Sequence, residues 1–197
     1  DGTDTIYGGD GDDTIEGNGG ADTIYGSDGD DIIKGKLGAD TIYGGGGDDT
    51  ISGNLDADTI YGGDGNDTIL GRQGNDHLDG GDGTDALSFE HANSAVNVDL
   101  TAQAATVAVP TGDNEGADTV INFEDVIGSD FDDVIIGDTN ANTLEGGGGA
   151  DTLTGNGGGD TYVFRSEGDS AVGTGDLITD FNAGDNQSGI DTIDLSG

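Results

Sequence analysis

At 197 residues the chain can form one domain or two stacked ones, and its 42 acidic against 4 basic residues give a formal net charge of -38. That excess excludes nucleic acid and anionic lipid, which need Lys and Arg, and favours cations as partners. With no cysteine, neither disulfides nor thiolate metal sites hold the fold, and no apolar run reaches the roughly 18 residues of a membrane span.

Hydrophobic residues make up 30% of the chain, too few for an ordinary core, while glycine occurs 42 times and proline once. Such a composition predicts disorder unless some other force compacts the chain. No N-terminal signal peptide is visible. The sequence opens at Asp1 inside a repeat, as expected for a segment of a longer protein.

After the partial unit 1–7, residues 8–88 divide into nine units of nine, starting at Gly8, Gly17, Gly26, Gly35, Gly44, Gly53, Gly62, Gly71 and Gly80. The fourth residue is Gly in each unit except the one holding Asp56. The sixth is always Asp: Asp4, Asp13, Asp22, Asp31, Asp40, Asp49, Asp58, Asp67, Asp76 and Asp85. The eighth is always Ile or Leu, from Ile6 to Leu87. The pattern is G-G-x-G-x-D-x-U-x, with U a large aliphatic residue.

Each unit ends in a triplet such as Thr5-Ile6-Tyr7, too short for a helix and rich in strand formers. Alternation sends the aliphatic residue to one face and its neighbours to the other. One aliphatic residue per unit builds a core only when units stack into a ladder. Tyr7, Tyr25, Tyr43 and Tyr61 recur every 18 residues, which predicts two units per coil. The expected fold is therefore an all-β parallel β-roll, a right-handed β-solenoid, with two thin sheets and Gly-rich loops at both edges.

Such stacking aligns Asp4, Asp22, Asp40, Asp58 and Asp76 on one edge, and Asp13, Asp31, Asp49, Asp67 and Asp85 on the other. At the strand spacing of about 4.8 Å, each neighbouring pair repels by roughly 1 kcal/mol in water and several times more near protein. Turn preference explains Asp and Gly in loops, but not Asp at one phase in every unit. A cation between rungs resolves the repulsion. Carboxylates and loop carbonyls are an oxygen-only ligand set, which suits Ca²⁺ better than Zn²⁺ or Mg²⁺. The eight neighbouring pairs predict eight or more ions, eight of which would offset 16 charges. Loops on the Asp4-to-Asp76 edge carry Lys36, Leu37, Leu55 and Arg72, so tighter binding is expected on the Asp13-to-Asp85 edge.

Residues 89–127 break the period and are expected to continue the solenoid as an irregular, β-rich insertion. Strand-like pieces lie at 86–89, 96–100 and 119–127, a loop at 110–116, and core positions at Phe89 and Phe123. The period resumes over 128–164 with Asp133, Asn142, Asp151 and Asp160 at the sixth position. Asp133/Asp151 is expected to bind calcium, and Asn142/Asp160 less well because Asn is neutral. Residues 165–197 are the expected C-terminal cap.

These motifs resemble repeats-in-toxin (RTX) calcium-binding nonapeptide-repeat domains, notably the C-terminal β-roll of serralysin-type metalloproteases and the R-modules of alginate epimerases. The resemblance implies a secreted, extracellular bacterial protein, type I secretion, folding on calcium outside the cell, and a larger parent protein whose other domains are partners. A second reading is an adhesion, surface-layer or polysaccharide-contact module, with the Tyr ladder as a possible glycan contact. A third makes the chain the non-catalytic part of a secreted protease, lipase or epimerase. The chain itself is not expected to be an enzyme. HExxH is absent, and His77 and His91, its 2 histidines, read as surface residues.

Overall fold

The computed structural model describes residues 2–102, 104–107, 116–165, 175–183 and 189–195. Among these are twenty strands and no helix. Nine six-residue strands follow the repeat: β1 (Thr5–Asp10), β2 (Thr14–Gly19), β3 (Thr23–Asp28), β4 (Ile32–Leu37), β5 (Thr41–Gly46), β6 (Thr50–Leu55), β7 (Thr59–Asp64), β8 (Thr68–Gln73) and β9 (His77–Asp82). Then come β10 (Ala86–Ser88), β11 (Val96–Asp99), β12 (Ala104–Val107), β13 (Ala117–Ile121) and β14 (Asp125–Ile127). The last are β15 (Val134–Ile136), β16 (Thr143–Glu145), β17 (Thr152–Thr154), β18 (Thr161–Val163), β19 (Leu177–Ile178) and β20 (Thr192–Asp194). The predicted loop at 110–116 lies outside the described residues except for Gly116.

The chain divides into two units, Asp1–Leu87 with Thr111–Phe123, and Ser88–Pro110 with Glu124–Gly197. Unit 1 is a parallel solenoid with one sheet ordered β1-β3-β5-β7-β9-β13 and another ordered β2-β4-β6-β8-β10. Its register steps by 18 residues, as in Ile6↔Ile24 and Ile15↔Ile33, so one coil is two repeats. The strands are longer than the predicted triplets. Pairing runs on into the first loop residues, as in Gly9↔Ser27 and Asp10↔Asp28. The inward ladder Ile24, Ile33, Ile42, Ile51, Ile60, Ile69, Leu78 and Leu87 is fully buried. Each of these side chains contributes about 1.5–3 kcal/mol.

On the outward face Tyr7, Tyr25, Tyr43 and Tyr61 stack with ring centroids 4.9, 5.0 and 5.1 Å apart and planes within 8°. His77 closes the stack edge-on against Tyr61. Each aromatic pair adds about 0.5–1.5 kcal/mol.

Unit 2 contains β12-β11-β15-β17-β19 and β14-β16-β18-β20. Its pairs are parallel apart from β11 with β12, which is antiparallel. The reversal follows Asp99, whose carboxylate accepts from Thr101 Oγ1 at 2.5 Å and from the Ala102 amide at 3.0 Å, making a tight turn. Its core holds Phe89, Val96, Val98, Val126, Ile135, Leu144, Leu153 and Tyr162, and Phe123 is buried in unit 1.

Candidate metal centres

The strand register sets the sixth-position side chains one above another. In unit 1 the main-chain amide of each such Asp donates to Oδ1 of the Asp one coil on. Asp4→Asp22→Asp40→Asp58→Asp76 forms one column, every bond 2.8 Å. Asp13→Asp31→Asp49→Asp67→Asp85 forms the other, with the same spacing. From Asp22 onward these residues are at most 3% exposed, while Asp4 at the first rung is exposed and Asp13 half-buried. In unit 2, Asp133 donates to Asp151 at 2.7 Å and Asn142 to Asp160 at 3.0 Å. All the sixth-position residues singled out from the sequence therefore stand in columns.

The second carboxylate oxygen is the informative atom. Oδ2 of Asp22, Asp31, Asp40, Asp49, Asp58, Asp67, Asp76 and Asp151 is buried with no hydrogen-bond donor. A charged oxygen in that state costs several kcal/mol unless a cation meets it. Loop carbonyls crowd the same space. A Cβ placed on Gly17 would stand 2.8 Å from both Asp22 Oδ2 and the Gly35 carbonyl oxygen. The space beside Gly8 is bounded in the same way by Asp13 Oδ2 at 2.7 Å and the Gly26 oxygen at 2.8 Å. Acceptor thus faces acceptor along both edges, with no proton between. Burial pushes the carboxyl of Asp49 up to about 7, Asp58 to about 8, Asp76 to about 6 and Asp151 to about 7. Facing carboxylates of neighbouring rungs add to the rise at Asp49, Asp58 and Asp151.

Four copies of the RTX calcium-binding nonapeptide repeat match the chain, at residues 1–33, 25–60, 52–87 and 127–162. The chain belongs to this RTX family. No curated protein matches it. It is a calcium-binding structural module, and the RTX roll is a non-catalytic fold. The geometry fits the ion: the donors are hard oxygens only, and buried ones lack a counter-charge. Among the described residues no three acidic or imidazole side chains converge on one point, which leaves loop carbonyls and water to complete a ligand shell.

Three column members lack a regular repeat around them and escape the nine-residue pattern. The Asp76 amide donates to Asp118 Oδ1 at 2.8 Å, across an interval of 42 residues instead of 18. The Asp151 amide donates to Asp176 Oδ1 at 2.9 Å, and that of Asp160 to Asp191 Oδ1 at 3.0 Å. Their signal is an Asp just before a short apolar strand, as in Gly116-Ala117-Asp118-Thr119-Val120 and Gly189-Ile190-Asp191-Thr192-Ile193, which keep the fourth-position glycine but lack the one at the first position. A further, outer column lies on the Asp13-to-Asp85 edge, where the Asp30 amide donates to Asp12 Oδ1 and that of Asp48 to Asp30 Oδ1. It adds negative charge to the edge expected to bind more tightly.

The histidines carry no site geometry. His77 packs on Tyr61, and exposed His91 lies 3.5 Å from Glu90 Oε1.

Proposed function

We propose that this RTX chain is a calcium-triggered folding segment of a secreted bacterial protein. It stays extended where calcium is scarce, becomes rigid outside the cell, and so supports type I secretion and the stability of a larger parent. The observation that carries this reading is the set of buried Asp Oδ2 atoms with no donor. Calcium between rungs, held by Asp4 to Asp85 on both edges and by Asp151 in unit 2, removes the penalty, so metal binding becomes folding free energy. Of the expected cap at 165–197, the described residues 175–183 and 189–195 act at the end of unit 2. Asp180 accepts from the Gly155 amide at 3.1 Å, the Asn156 amide at 2.7 Å and Tyr162 Oη at 3.1 Å, as a further loop would otherwise do.

The stacked rings of the Tyr ladder cover one another's faces, so the ladder is a stabilising stack in this reading rather than a sugar platform. The test is far-UV circular dichroism during a calcium titration of the chelated chain. The expected result is a cooperative gain of strand signal with a midpoint of about 10⁻⁴ to 10⁻³ M, the range of extracellular calcium modules. A spectrum indifferent to calcium would end the proposal.

A further inference from the structure

The repeat loops solve the same problem in two ways. Each of the eight aspartates with an unmet Oδ2 belongs to a repeat whose second residue has a left-handed backbone. These residues are Asn18, Ser27, Lys36, Gly45, Asn54, Gly63, Arg72 and Gly147, with φ between 69° and 128°. Five of the eight are not glycine and bear the cost of that conformation. In this geometry the second residue makes no hydrogen bond from its amide to the sixth side chain.

Two successive repeats, 128–136 and 137–145, depart from this. Ser129 and Asp138, at the second position, are not left-handed. The Ser129 amide donates to Asp133 Oδ2 at 2.6 Å, and its hydroxyl lies 2.9 Å from Oδ1. The Asp138 amide donates to Asn142 Oδ1 at 2.9 Å. Asn142 Nδ2 in turn donates to the Glu124 carbonyl at 2.9 Å, so the side-chain amide provides protons where an aspartate would offer only lone pairs. Phe131 and Asn140 replace the fourth-position glycine, and neither takes positive φ. Glu145, which ends this coil, is paired at 2.8 Å by Arg165.

We infer that the coil of residues 128–145 closes on the protein's own proton donors and needs no calcium, with Ser129 and Asn142 standing in for the ion. This rests on the calcium reading above. It divides the RTX chain into metal-dependent coils and one metal-independent coil that persists when calcium is withheld.

Hydrogen–deuterium exchange of the whole chain in excess chelator tests this. Amides of β15 and β16 are expected to exchange at least about tenfold more slowly than those of β2 to β8, a difference of about 1.4 kcal/mol in local opening. Equal, fast exchange throughout would overturn the inference and leave the calcium reading standing. Equal, slow exchange throughout would overturn both. The variant Asn142→Asp with Ser129→Gly is expected to lose the protection of β15 and β16 in chelator and to regain it when calcium is added. Unchanged protection in that variant would show that these two side chains do not replace an ion.

Discussion

Gly44→Ala is expected to cripple unit 1, whereas Gly46→Ala, two residues away, leaves it intact. A Cβ on Gly44 would stand 2.5 Å from the Gly62 carbonyl oxygen and closer still to Asp49 Oδ2. Neither neighbour can give way. The carbonyl belongs to the next coil, and the carboxylate is held through Oδ1 by the Asp31 amide. The methyl group would fill the oxygen-lined space in which an ion would meet Asp49. The expected loss is about 3 kcal/mol, the upper end for overpacking, and a fall in Tm of roughly 10 °C or more at fixed calcium. At Gly46 the nearest atoms to a Cβ are 3.9 and 4.0 Å away and φ is not positive. That variant should stay within about 0.5 kcal/mol of the parent. Thermal melts of both variants in saturating calcium measure the contrast, and equal melting temperatures would contradict the crowded-oxygen geometry.

In chelator, acidification from pH 8 towards pH 5 is expected to restore order that calcium removal has taken away. The Asp49, Asp58, Asp76 and Asp151 carboxyls titrate at about 7, 8, 6 and 7 in the folded chain, against 3.8 ordinarily. Burial is the leading cause in all four. With folded values above unfolded ones, the folded state holds protons that the unfolded state has released. Stability of the metal-free fold therefore falls as pH rises from about 4 to about 8, and is recovered on acidification. Calcium has the opposite dependence. It needs the ionised oxygen, so protons compete with it and the calcium midpoint should rise as pH falls from 8 to 6. Circular dichroism across this range, with and without calcium, checks both directions. A pH-independent metal-free spectrum would contradict the buried, unmet carboxylates.

Much of this structure was legible in the sequence because period nine dictates both strand phase and loop phase. The inward ladder from Ile24 to Leu87, the outward Tyr stack and the Asp columns follow from residues recurring at fixed intervals. The 18-residue register followed from Tyr alternating with Glu16, Lys34 and Ser52. What stayed hidden depends on local geometry rather than period. Asp118, Asp176 and Asp191 join columns through strands whose loops are not regular repeats. The antiparallel step from β11 to β12 is set by one side-chain turn at Asp99. The difference between Asp133 and Asp151, alike in repeat position, comes from the backbone at Ser129 and Gly147.

Calcium's position can be measured directly, by anomalous diffraction from crystals of the chain grown with calcium. The expected map places an ion about 2.3–2.6 Å from Oδ2 of Asp31, Asp49 and Asp67 on one edge and of Asp40 and Asp58 on the other. If those oxygens contact no ion in the folded protein while calcium is in excess, they are not ligands and the account fails.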